Sequence, residues 1–234
     1  MIPKYGFVSE RKYILREVIR LREISFEFNG EEVITSAKSA FIPKTRVQVY
    51  FLENTKWYKS LTNLLYKAKN GRILADNDER YGYFSKAAIA ILPHLFWKPD
   101  VVICNGWQSA FVPLIYQQIY DKKDFYGKIK TVLTVHSVDE YCEFSRKSYE
   151  KAGVTLPDSI KGNTVNCYEA AAPFADLIVA VDSPENDVTA KLMKLPGIKA
   201  HKEKLVSISL DDEESPDFNA TATALNEVLT KHFA

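Results

Sequence analysis

The sequence predicts a doubly wound α/β fold with a mostly parallel sheet, and three observations carry that prediction. Apolar runs such as Val101–Cys104, Thr131–Val135 and Leu177–Val181 are hydrophobic at consecutive positions, as in strands buried on both faces. Segments with helical spacing separate them, the pattern of parallel strands joined by crossover helices. Each run ends abruptly in polar residues, at Asn105-Gly106, His136-Ser137 and Asp182-Ser183. In such sheets ligands sit beyond the carboxyl ends of the strands.

In chain order, the first fifty residues read as β-rich. Ile24, Phe26 and Phe28 alternate with polar residues, and Asn29-Gly30 then turns the chain. Residues 32–42 and 47–52 continue as strands. Phe84, Ala87, Ala88, Ile91, Leu92 and Leu95 follow helical spacing. After the strand at 101–104 a helix is expected over 108–120, and after the strand at 131–135 a helix-rich stretch around 161–174. The strand at 177–181 is followed by a helix near 185–195 and a last strand at 205–210. Ser215-Pro216 is expected to open a final helix, with Ser as N-cap and Pro in the first turn. Leu225, Val228, Leu229 and Phe233 form its apolar face. The expected organisation is one domain over 1–234, a body to residue 210 followed by an acidic loop and the C-terminal helix.

Composition narrows the function classes. The 234 residues are 46% hydrophobic and 26% charged with a net charge of +1, which suggests neither nucleic acid nor membrane as partner. Cys104, Cys142 and Cys167 are scattered, with no metal-ligand spacing, and read as reduced, partly buried thiols of a cytoplasmic protein. No Gly-rich phosphate cradle is present. No metal and no cofactor is expected.

The stretches "DNDERYGYFSKAAIAIL" (76–92), "WKPDVVICNGWQSAFVPL" (97–114) and "TVLTVHSVDEYCEF" (131–144) carry a further resemblance, together with "IPKYG" at the start, "VYFLENTKWY" (49–58) and "NCYEAAAPFADLIVAVDSP" (166–184). In this order and spacing they resemble the N-terminal domain of bacterial glycogen synthases and plant starch synthases, and the chain is similar to their short, single-domain relatives. The resemblance implies a Rossmann-like fold, the N-terminal half of a GT-B-type glycosyltransferase. It implies glucan metabolism, by α-1,4-glucosyl transfer from ADP- or UDP-glucose, with this chain carrying the acceptor-side domain. The alternative is a non-catalytic glucan-binding or regulatory relative. The second, nucleotide-sugar-binding domain has no counterpart in these 234 residues. The implied partners are a glucan or small sugar and a second glycosyltransferase subunit.

Several positions depart from the family pattern. Its His-Asp-Trp is Asn105-Gly106-Trp107 here, and its Thr-x-His-Asn is Thr134-Val135-His136-Ser137. Tyr141-Cys142 stands where the family has Gln-Gly, and an Asn-x-x-Lys becomes Asn166 to Glu169, a charge reversal. The family's first strand, Gly-rich loop and helix precede the Pro-Lys-Tyr-Gly region. With that unit missing, a central strand position is expected either to stand vacant, filled only if the natural polypeptide continues upstream, or to be closed by an early strand pairing with 101–104.

Each candidate substrate-binding residue has two readings. Trp107 can stack on a sugar ring or pack in the core. Asn105 can bind a hydroxyl or shape a turn. His136 can meet a hydroxyl or developing charge, or be satisfied by backbone. Asp76, Asn77 and Arg80 match an Asp-Asn-x-x-Arg stretch, and the plainer reading has Asp76 or Asn77 capping a helix. No catalytic residue is assigned.

Overall fold

The structure is a computed structural model and describes residues 1–59, 65–212 and 214–233. Glu213 of the acidic stretch lies outside the described residues.

The first part of the chain builds a five-stranded sheet. It contains β1 (Ile2–Pro3), β2 (Arg16–Glu17), β3 (Ile24–Phe28), β4 (Glu31–Phe41) and β5 (Gln48–Glu53). The pair β3/β4 is an antiparallel hairpin closed by Asn29 and Gly30, both left-handed, as the sequence predicts. β4 pairs antiparallel with β5, and β1 adds parallel to β5.

The second sheet is fully parallel, in the order β6 (Val101–Asn105), β7 (Lys130–Val135), β10 (Leu177–Asp182) and β11 (Leu205–Ser209). Its two faces are both covered, which explains the continuous apolar runs. Leu133, Val135, Ile178 and Ala180 join the main core with the helices α1 (Asn77–Ala90), α2 (Phe111–Ile115) and α4 (Cys167–Ala171). The alternate residues Val132, Leu177, Val179 and Val181 meet the C-terminal helix α7 (Phe218–Phe233) through Leu225, Val228, Leu229 and Phe233.

α1 is buried nearly all round, because it lies between the two sheets. Phe26, Phe28, Trp57 and Tyr58 surround Tyr83 on one side, and the Phe111 ring lies against Gly82 on the other.

Some elements differ from their predicted forms. The helix expected over 108–120 is broken into a 3-10 turn at Trp107–Ser109, α2, and a wide turn at Tyr116–Tyr120. Pro113, inside α2, has no amide to extend a regular ladder. Around 161–174 only α4 is helical, capped by the Asn166 side chain accepting from the Tyr168 amide at 3.0 Å. Just before it, β9 (Thr164–Asn166) pairs antiparallel with β8 (Glu143–Ser145). That strand pair, and α3 (Arg146–Ala152) in the connection between its strands, are absent from the sequence reading. Helix α5 (Val188–Leu192) is shorter than expected and is capped by Asp187, which accepts from the Ala190 amide at 2.7 Å. A further short helix, α6 (Pro196–Lys199), precedes β11. α7 starts after Asp217, whose carboxylate accepts from the Asn219 and Ala220 amides, so Ser215-Pro216 is not its cap.

Among the described residues no early strand closes on β6, which pairs with β7 alone. Between β6 and the segment around β1 lies an apolar cleft of about 650 Å³, floored by α1.

Candidate functional site

The carboxyl ends of β6, β7 and β10 lie side by side, in register Asn105↔Thr134 and Ala180↔Val135. This brings Asn105, His136 and Asp182 to one sheet edge.

Asn105 is exposed and its amide oxygen accepts from the Thr134 hydroxyl at 2.6 Å. Its Nδ2 has no partner among the described residues and can donate to a ligand hydroxyl. The next residue, Gly106, has φ 67° and ψ −175°, and a Cβ there would stand 2.9 Å from Gln108 Oε1. Only glycine makes this turn without strain. The abrupt change from strand to Asn-Gly-Trp is this reversal, which swings Trp107 inward.

Trp107 is 5% exposed. Its indole meets Tyr81 edge-on at 4.9 Å, Tyr66 at 5.6 Å and Phe144 at 6.2 Å, while Tyr141 stacks on it at 6.0 Å and 20°. A sugar ring needs an open indole face, and Tyr141 takes that position. Tyr141 is itself one of the departures from the family pattern. Outside it lies Lys67, with its ammonium 4.6 Å from the Tyr141 ring centroid.

His136 projects from the end of β7 and is exposed. Its backbone carbonyl accepts from Asn186 Nδ2 at 3.1 Å, tying β7 to the turn after β10. Burial of its surroundings lowers its pKa below the ordinary histidine value of 6.5. At neutral pH the imidazole is therefore neutral, with one donor and one acceptor nitrogen. Beside it, the Ser137 hydroxyl donates to Asp139 at 2.8 Å, and Asp139 also accepts from the Tyr141 amide. Asp182 is spent on α5, accepting from the Thr189 amide and hydroxyl at 2.8 and 2.7 Å.

The Asp76–Arg80 stretch lies at the start of α1 and does not cap it in the expected way. The carboxylate of Asp76 meets the Arg80 guanidinium at 2.5 Å, one turn on, and makes no capping bond. Arg80 is 3% exposed and Asn77 is 6% exposed. Asn77 donates to the Tyr66 carbonyl at 2.9 Å and Arg80 to the Leu65 carbonyl at 3.4 Å. Both therefore hold the segment that carries Tyr66 and Lys67 against the helix.

Sequence reasoning missed Tyr141 and Lys67. Tyr141 is visible in the sequence only as an aromatic residue where the family has Gln. Glu169, the charge reversal, accepts from the Gly197 amide of α6 at 2.7 Å.

Comparison with known proteins places this geometry. Glycogen synthase of Chlorobium limicola is 32% identical over 184 residues, which is 76% of this chain and 37% of that protein. Glycogen synthase of Chlorobium luteolum is 32% identical over 193 residues, 80% of this chain and 39% of that protein. The chain thus spans well under half the length of these relatives. Among solved structures, the catalytic domain of starch synthase IV from Arabidopsis thaliana, bound to ADP and acarbose, shares the fold with a TM-score of 0.70. The likeness is at 21% identity and covers 89% of this chain and 43% of that one. Residues 1–186 match the starch synthase catalytic domain family, and the chain belongs to that family.

Proposed function

We propose that this chain is the acceptor-side domain of a glycogen- or starch-synthase-type glucosyltransferase, holding a glucan at the carboxyl edge of its parallel sheet. The observation that carries this reading is the pairing of Asn105 and His136, neutral and exposed at adjacent strand ends, in a chain of this family. Neutral amide and imidazole groups suit sugar hydroxyls. A diphosphate leaving group calls for several cations, and the nearby Lys67 is held over the Tyr66 and Tyr141 rings. Transfer from ADP- or UDP-glucose is accordingly assigned to a two-part assembly in which a second subunit supplies the donor site. The sugar analogue on the Arabidopsis neighbour supports a sugar ligand. Organisation of residues 1–234 as one domain and a cytoplasmic location belong to the same reading.

A second reading, a non-catalytic glucan-binding relative, draws support from Glu169, which stands at a lysine position of the family and is engaged with Gly197.

Calorimetry with maltoheptaose tests the binding step, with His136→Ala expected to weaken it by about 0.5–1.5 kcal/mol, one neutral hydrogen bond. No binding by the wild-type protein would overturn both readings. Incubation with glycogen and ADP-[14C]glucose or UDP-[14C]glucose tests the reaction. Incorporation by the pure protein above a heat-killed control would overturn the need for a second subunit, and the non-catalytic reading with it.

A further inference from the structure

Two of the three thiols meet at the end of a strand pair that the glucan reading does not use. β8 and β9 run antiparallel in the register Glu143↔Asn166, Phe144↔Val165 and Ser145↔Thr164. Beyond one end of the pair the same register holds, because the Arg146 amide donates to the Asn163 carbonyl at 2.8 Å. One step beyond the other end, Cys142 stands opposite Cys167. Successive side chains of a strand point to opposite faces, and the burial follows that rule. Phe144 and Val165 enter the core, and so do Cys142 and Cys167 on the same face. Glu143 and Asn166 turn to the other face and meet there, with Asn166 Nδ2 donating to Glu143 Oε1 at 3.1 Å.

Opposite residues of an antiparallel pair stand about 4.5–5.5 Å apart at Cα. A disulfide spans roughly 4.4–6.8 Å between Cα atoms, so this position accepts one without backbone movement. The two thiols already act on each other. Cys142 is held below the ordinary thiol value, first by a hydrogen bond from the Cys167 thiol. Cys167 is pushed up, first by burial and then by the same bond. Cys142 is therefore the attacking sulfur of the two and Cys167 the resolving one. Cys104 has no such partner. It lies on β6, and its thiol donates to the Val102 carbonyl at 3.8 Å.

The pair also joins two elements of different kinds. Cys142 ends the loop that leaves β7 at His136, and its amide donates to the Asp139 carbonyl within that loop at 3.1 Å. Cys167 is the first residue of α4, which packs against α2 in the core. We propose that Cys142 and Cys167 are a redox pair, which a low-molecular-weight disulfide closes into an intramolecular disulfide that clamps the loop after β7 to the start of α4. The Cys142 thiolate attacks the small disulfide, which releases one thiol and leaves a mixed disulfide on Cys142. The Cys167 thiolate then attacks the Cys142 sulfur and releases the second thiol. Two protein thiols are oxidised, the small disulfide is reduced to two thiols, and the two protons pass to those thiols. Both sulfurs are enclosed, so opening of the molecule sets the rate and the register sets the product. The proposal goes beyond the glucan reading, and its test requires no sugar.

The test brings the full chain to equilibrium in mixtures of oxidised and reduced glutathione. The samples are quenched with iodoacetamide, digested without reductant and mapped by mass spectrometry. The expected product is a peptide pair joined through Cys142 and Cys167, lighter by two hydrogens than the separate peptides, with Cys104 alkylated. Cys104→Ser is expected to give the same bond, and Cys142→Ser and Cys167→Ser to give none. Urea unfolding should show the oxidised protein with a folded-to-unfolded ratio on the order of a hundredfold above that of the reduced protein, as for a bond closing a loop of this size. Bonds through Cys104, bonds between molecules, or glutathione retained on Cys142 beside a free Cys167 would overturn the pairing. A bond between Cys142 and Cys167 that leaves the urea midpoint unchanged or lowers it would overturn the clamp. Thiols that all stay reduced in excess oxidised glutathione, after the chain has been unfolded and refolded in the same mixture, would overturn the proposal as a whole.

Discussion

At the end of β6 the Trp107 indole is enclosed by Tyr66, Tyr81, Tyr141 and Phe144, so its large area serves packing. Trp107→Ala is expected to destabilise the fold by about 3–5 kcal/mol, as for a buried aromatic. Maltoheptaose affinity of the molecules that remain folded should be unchanged. Urea unfolding and calorimetry on the same variant check the two halves of this expectation. His136 gives a pH signature of its own. Its folded pKa is lowered, so the unfolded chain takes up the proton first. Its contribution to stability is complete above the unfolded value of about 6.5 and is lost as pH falls from there toward the folded pKa. His136→Gln should flatten this part of the stability curve, measured by urea midpoints across the acid range.

At the scale of elements, close approaches decide how the helices sit. Gly197 opens α6 directly over α4, where a Cβ would stand 2.9 Å from Glu169 Cβ and 3.2 Å from its Cα. The Cα belongs to the helix backbone and cannot swing aside. Gly197→Ala should therefore cost about 1–3 kcal/mol, the range for overpacking, measured by thermal or urea unfolding. α7 is held less tightly. Leu225 and Leu229 reach the sheet but remain half-buried. Each alanine substitution should cost about 1–2 kcal/mol, below the 2–5 of a fully buried leucine. Loss of exchange protection in α7 ahead of β7 and β10 would accompany it.

At the scale of the molecule, two sheets share one buried helix, and the thiols report on that shared core. Cys104, Cys142 and Cys167 are free, and each is at most 1% exposed. Burial also pushes Cys104 and Cys167 upward, away from the thiolate. None should react with a thiol reagent faster than the molecule opens globally. Rapid native labelling of any of them would show a local opening that the packing does not contain.

The α/β class, the parallel strands and their polar ends were legible in the sequence, because burial on both faces writes itself as continuous apolar runs and helices as a 3.6-residue period. The hairpin at Asn29-Gly30 and the apolar face of α7 were legible for the same local reasons. The short helices were not. The segment after β6 stays helical but changes pitch, from a 3-10 turn through α2 to a wide turn, and α4 and α5 are only five residues long. The site divides along the same line. Strand ends put Asn105 and His136 on one edge, and this follows from sequence alone. Whether Trp107 faces a ligand depended on Tyr141, thirty-four positions along the chain, whose ring stacks on it. Asp76 looked like a cap and pairs with Arg80, because a buried guanidinium at 3% exposure draws the nearest carboxylate. The sequence by itself determined which strands exist and where each one ends, since those depend on neighbours along the chain. Only the tertiary structure decided which faces are covered, since that depends on residues far apart in sequence meeting in space.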